Sequence, residues 1–107
     1  MKIGVVLNTN DAETAFNALR FGVMALGNKH EVKTFLLGSG VELENIEGGK
    51  FDIKKHLNSY LEFGGEILAC GTCLTLRHKE GSNVCPISSM ADLMKMVEES
   101  DRILTFG

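Results

Sequence analysis

Short apolar runs alternate with segments of helical period along the whole 107-residue chain, and that alternation leaves few folds open. Parallel strands need a long crossover between them, usually a helix, so this pattern predicts βαβ units built on a parallel sheet. Residues 2–7 (Lys-Ile-Gly-Val-Val-Leu) form the opening run, consistent with a strand covered on both faces. Asn10 or Asp11 then offers a side-chain oxygen to cap a helix, with Glu13 and Thr14 in its first turn. Phe16, Leu19, Val23 and Leu26 recur at helical spacing and Gly27-Asn28 supplies a stop, which predicts a helix over about residues 12–27.

The remaining elements follow the same logic. Val32 to Leu37 reads as a second strand ending at Gly38-Ser39-Gly40, and residues 41–50 as a loop with at most one irregular turn. Ile53, Leu57, Tyr60 and Leu61 define a second amphipathic helix closed by Gly64-Gly65. Ile67 to Cys70 is a third strand, followed by a short helical turn within Gly71 to Lys79. Val84 to Ile87 gives a fourth strand, which Pro86 confines to a sheet edge or to very few residues. Ser88 or Ser89 caps the last helix, whose expected buried stripe is Met90, Leu93, Met94 and Val97, with Met96 off that face. Arg102 to Phe106 closes the chain as a fifth strand. No repeat, low-complexity tract or linker interrupts the pattern, so residues 1–107 read as one domain.

Composition excludes several functions. The 44% hydrophobic and 23% charged residues are ordinary for a soluble globular protein. A net charge of −3, with basic residues clustered only at Lys54-Lys55 and Arg77-His78-Lys79, argues against a nucleic-acid surface. No apolar run approaches the ~20 residues that span a bilayer, and the polar residues after Leu7 deny the N-terminus a signal-peptide core. The expected location is the cytoplasm, where thiols stay reduced. Three cysteines is an odd number, which disfavours a disulfide-stapled scaffold.

Those cysteines carry the chemistry. Ligands of open α/β sheets gather at the carboxyl ends of strands, and Cys70-Gly71-Thr72-Cys73 begins at one. If Gly71 opens a helical turn, Cys70 lies at its N-cap and Cys73 one turn on. Unpaired amides at such a position favour a thiolate, the nucleophilic form of cysteine. Gly71 allows a tight bend beside the sulfur, Thr72 is small and polar, and Arg77 and His78 add positive potential if the turn brings them round. Against this stands the plainer reading of a buried cysteine as a small hydrophobe. For Cys73 the two readings balance: it resolves a mixed disulfide or faces the core. Cys85, before Pro86, is read as structural.

Other sites are weaker. Zinc usually takes paired C-x-x-C units, and here a single pair has only Cys85, His30, His56 and His78 to complete it, so no metal is expected. The thioredoxin arrangement puts its motif after the first strand, and this one follows the third. Gly38-Ser39-Gly40 and Gly48-Gly49 match no nucleotide-binding loop. Asn8-Thr9-Asn10-Asp11 is explained by a turn and helix cap. His30 and His56 are read as surface residues.

The sequence resembles the DsrE/DsrF-like family, which includes sulfur-relay proteins. The resemblance rests on Lys2-Ile-Gly-Val-Val, on Val32 to Val41, on Ile67-Leu-Ala-Cys-Gly-Thr-Cys73, and on the closing Met90-Ala-Asp-Leu and Asp101 to Phe106. It implies a three-layer α/β/α domain with a five-stranded, mostly parallel sheet, assembled as a homo-oligomer of three or six chains. It further implies that Cys70 accepts a persulfide ahead of a basic helix containing Arg77, with donor and acceptor proteins as partners and no cofactor. Cys73 and Cys85 depart from many relay members. Three functions are therefore carried forward: a sulfur carrier, sulfurtransferase-like at most; an oligomeric module with structural cysteines; and a Cys70/Cys73 dithiol switch.

Overall fold

The computed structural model describes all 107 residues. Its strands are β1 (Lys2–Leu7), β2 (Glu31–Leu36), β3 (Glu66–Cys70), β4 (Ile87–Ser88) and β5 (Arg102–Phe106). Its helices are α1 (Ala12–Gly27), α2 (Ile53–Glu62), α3 (Gly71–Leu76) and α4 (Met90–Glu99). All four strand pairings are parallel, in the order β4-β3-β2-β1-β5. The chain steps outward from β1 to β4, then returns to the far side of β1. Right-handed crossovers put helices of the outward steps on one face and the return helix on the other. Val5, Thr34, Ile67 and Leu104 share register and face the α1/α2 layer, while Gly4 lies under Met96 and Ser100 at the α4 side. No helix is long and apolar enough to cross a membrane.

Local chemistry sets the element ends. Asp11 caps α1, its carboxylate accepting from the Thr14 amide at 3.0 Å and the Thr14 hydroxyl at 2.8 Å. Asp52 caps α2 in the same way through the Lys55 amide. Ser89 and Asp92 form a reciprocal capping box at α4.

The structure departs from the sequence reading in three places. Residues Gly38–Asn45 form a 3-10 helical segment where a loop was expected. Gly38 (φ +52) turns the chain out of β2, and at Gly40 a Cβ would fall 2.2 Å from the Leu7 carbonyl oxygen, so the segment lies directly on the end of β1. The fourth strand is short and at the sheet edge, as Pro86 implied, but it runs over Ile87–Ser88 instead of Val84 to Ile87. Pro86 still contributes, since its carbonyl accepts from the Ala69 amide at 2.9 Å. The third departure is the buried face of α4. Met96 is its buried residue and Leu93 is half-buried, whereas Met90, Met94 and Val97 are 61%, 56% and 43% exposed. Periodicity located an apolar stripe on this helix; close packing of Met96 on Gly4 selected another face.

Tyr60 locks the α1/α2 layer to the sheet. Its ring fills the space left by Gly22 of α1 and Gly65, where an added Cβ would approach it to 2.8 and 2.4 Å. Its hydroxyl donates to the Glu66 carbonyl at 2.7 Å and, having one proton, accepts from the Thr34 hydroxyl at 2.9 Å. Burial pushes the phenol's pKa up. Tyr60→Phe strands a buried hydroxyl and a carbonyl and is expected to destabilise the fold by about 1–3 kcal/mol. Urea unfolding would show this as a lower midpoint with unchanged slope.

Candidate functional site

Residue 70 ends β3, and the backbone turns there from extended (φ −58, ψ 118) into α3. Cys70 is therefore the N-cap of α3, as expected from the sequence. Its burial follows the plainer reading of a small hydrophobe, and the amide contact that would favour a thiolate is missing. The residue is only 3% exposed, and its side chain makes no hydrogen bond to the helix amides. Burial by the sheet edge, rather than capping, defines its surroundings. Gly71 also serves a different purpose from the one expected: a Cβ there would lie 3.1 Å from the Ser88 carbonyl oxygen, so its lack of a side chain admits β4. Thr72 is exposed on the first turn.

Cys73, one turn later, is half-buried and the more open of the pair. Its Sγ accepts from the Gly38 amide at 3.2 Å, and the Cys70 thiol is its neighbour across the first turn of α3. Burial, the largest influence, raises the pKa of Cys73, and the neighbouring thiol adds to the rise. The Gly38 N–H and the Arg77 guanidinium act in the opposite direction. At rest, therefore, this sulfur is a protonated thiol with anion-stabilising groups beside it.

Arg77 stands just beyond α3 as its C-cap. It donates to the Cys73 carbonyl at 3.2 Å, and its Nε lies 3.4 Å from a Glu42 carboxylate oxygen. Asn10 reaches the same oxygen at 3.4 Å, while its amide donates to Ser39 Oγ at 2.9 Å. The ends of β1, β2 and β3 are thus tied around the sulfur pair. Gly38 and Glu42 are the site residues the sequence reading missed. Gly38 looked like turn punctuation, and Glu42, 35 residues before Arg77, joins the site only through the 3-10 segment.

Helix α3 stops without glycine. His78 adopts φ +53, and its amide and that of Lys79 bond back to Thr75 and Leu74, the Schellman pattern. Neither His30 nor His56 joins the cysteines: His30 Nδ1 accepts from the N-terminal ammonium, and His56 packs edge-on against Phe16. No group of three or more histidine, cysteine or acidic residues converges as a metal site. Cys85 is buried beside Ser82, whose hydroxyl bonds both the Cys85 amide and Glu44. Burial, then the Glu44 charge, pushes its thiol up to about 12. An open hollow of about 450 Å³ lined by Asn10, Asp11, Glu42, Asn45 and Glu47 adjoins the site. A cleft of about 290 Å³ lies at the opposite, amino edge of the sheet among Lys2, Lys33 and Glu66.

Thiolate is the species that alkylates, so reactivity reports these environments. Cys73 alkylation by iodoacetamide is expected to keep rising past the ordinary cysteine pKa of ~8.5, while Cys85 stays unreactive in the folded chain. Glu42→Gln leaves the Arg77 charge uncompensated and moves the Cys73 profile to lower pH. Arg77→Gln moves it the other way. Identical profiles in all three proteins would remove Arg77 from the site.

Comparison with known proteins agrees with the architecture. A family model, that of the DsrE/DsrF-like family, matches residues 1–106. The uncharacterized protein MJ0989 of Methanocaldococcus jannaschii is 32% identical over 100 residues, covering 88% of each chain. The uncharacterized protein MK0008 of Methanopyrus kandleri is 33% identical over 100 residues, covering 88% of this chain and 83% of that one. Among solved structures, the conserved protein of unknown function BT1422 from Bacteroides thetaiotaomicron superposes with a TM-score of 0.74 at 16% identity. That match covers 98% of this chain and 94% of the other, and it shows the shared α/β fold. With the family match spanning nearly every residue, this chain belongs to the DsrE/DsrF-like family.

Proposed function

We propose that this protein is a sulfur carrier that takes a sulfane sulfur onto the Cys70–Cys73 pair and yields it to an acceptor. The observation that carries the reading is the pairing itself: two neighbouring thiols at the carboxyl edge of the sheet, in a chain of this family. The sequence reading made Cys70 the acceptor. Because Cys70 is almost fully covered and Cys73 is not, sulfur arrives at Cys73 in this proposal, with Cys70 directly behind it.

The step is a thiol–disulfide exchange. Cys73, as thiolate, attacks the outer sulfur of a donor persulfide. A new S–S bond forms on Cys73, the donor's S–S bond breaks, and the donor leaves as a thiolate that takes up the released proton. The Gly38 N–H and Arg77 favour negative charge on the attacking sulfur. The step consumes no cofactor, and the reading places it in the reducing cytoplasm with protein donors and acceptors. After incubation with a persulfide donor, mass spectrometry is expected to find one added sulfur atom on Cys73 in Cys70→Ser, and far less adduct in Cys73→Ser. Absence of an adduct from every variant with every donor tried would sink the proposal.

A second reading, an assembly module with structural cysteines, is favoured by one observation. Met90, Met94 and Val97 form an exposed apolar stripe on α4, a feature that marks contact surfaces. In this reading α4 packs against other copies of the chain. Met94→Glu is then expected to lower the molar mass measured by light scattering while leaving the circular dichroism unchanged. A mass that does not move would exclude α4 as the contact.

A further inference from the structure

We infer that Cys70 is a resolving thiol, so that a sulfur load not collected by an acceptor is discharged as hydrogen sulfide and leaves a Cys70–Cys73 disulfide. This rests on the carrier reading above and adds an activity to it.

The geometry comes from the helix start. Cys70 is the N-cap of α3 and Cys73 the third helical residue. Those two positions face each other across one turn, which is why an N-cap side chain and an N3 side chain can exchange hydrogen bonds in a capping box. Their Cα atoms are then roughly 5 Å apart, inside the range that a disulfide bridges. A bond between them would join two residues of one helix start and would link no separate strands. No other cysteine competes. Cys85 is buried, and its neighbours Ser82 and Glu44 are engaged with each other.

The two sulfurs of a persulfide on Cys73 differ in who can reach them. The outer sulfur projects from the half-buried residue and is open to an acceptor. The inner sulfur, Cys73 Sγ, faces the buried Cys70. Attack by Cys70 on that inner sulfur forms the Cys70–Cys73 bond and breaks the bond to the outer sulfur. The outer sulfur leaves with the electron pair and takes the Cys70 proton, departing as hydrosulfide. Counted from the dithiol, the two cysteines together lose two electrons and the sulfane sulfur gains them, so no external oxidant is needed. A second round requires a dithiol reductant to reopen the disulfide.

The test uses the intact chain. Wild type and Cys70→Ser are loaded with inorganic polysulfide, desalted, and followed by intact mass and free-sulfide assay without added thiol. Wild type is expected to lose its adduct, release equimolar sulfide and become lighter than the dithiol by two hydrogens. Cys70→Ser is expected to keep its adduct at least roughly tenfold longer, since the attacking group is no longer held in place. An adduct equally long-lived on both proteins overturns this inference alone. No adduct on either removes the carrier reading and this one with it. Should Cys70→Ser fold poorly, Cys70→Ala takes its place. Independently, oxidation of wild type by glutathione disulfide is expected to give the Cys70–Cys73 bridge by peptide mapping, and its failure to form also overturns the inference.

Discussion

A parallel sheet exposes apolar side chains on both faces and must be covered on both, and this chain has only 107 residues to do so. That constraint shapes most of what is seen. Helices α1 and α2 cover one face, and they come close because Gly22 and Gly65 leave room for the Tyr60 ring. One ten-residue helix covers the other, drawn in by Gly4, where an added Cβ would lie 3.0 Å from Met96. The second face is thus thinly roofed. The helix that covers it keeps apolar side chains on its outside as well, an economy that leaves Met90, Met94 and Val97 in water in the isolated chain.

Much of the fold was legible in the sequence because its signals are local. The apolar run of β1, the capped and periodic α1, and β5 at Arg102–Phe106 appear where sequence reasoning put them. Periodicity and capping chemistry report on neighbours three or four residues away, and these elements need little else. The unforeseen features involve long-range packing. Which stripe of α4 turns inward is decided by Gly4, some ninety residues earlier. The 3-10 segment depends on Gly40 meeting the backbone of Leu7, and nothing in Gly-Ser-Gly announces that contact. The fourth strand is shortened because the residues before Ile87 fold back, with the Ser82 amide bonding the Cys85 carbonyl, instead of continuing the ladder.

The site divides the same way. Its motif could be read directly: Cys70 and Cys73 bracket the start of a helix at a strand end. Its polarity could not. The neighbours come from β4, packed on Gly71, and from the 3-10 segment, whose Gly38 amide meets Cys73, and Cys73 is left the more open sulfur. Its partners Gly38 and Glu42 come from a segment whose structure the sequence leaves ambiguous. The family match supports the architecture and the motif's setting, while the roles of the individual sulfurs rest on burial and hydrogen bonding.

Three thiols in so small a chain offer three possible pairings, of which only one joins neighbours across a single helical turn. The Ser82–Glu44 hydrogen bond next to Cys85 has a bearing on this. By keeping a carboxylate against a covered sulfur, it makes that sulfur a poor exchange partner whatever the solvent's redox state. Should the proposed Cys70–Cys73 bridge form, Cys85 would stand apart from it, covered and held beside Glu44.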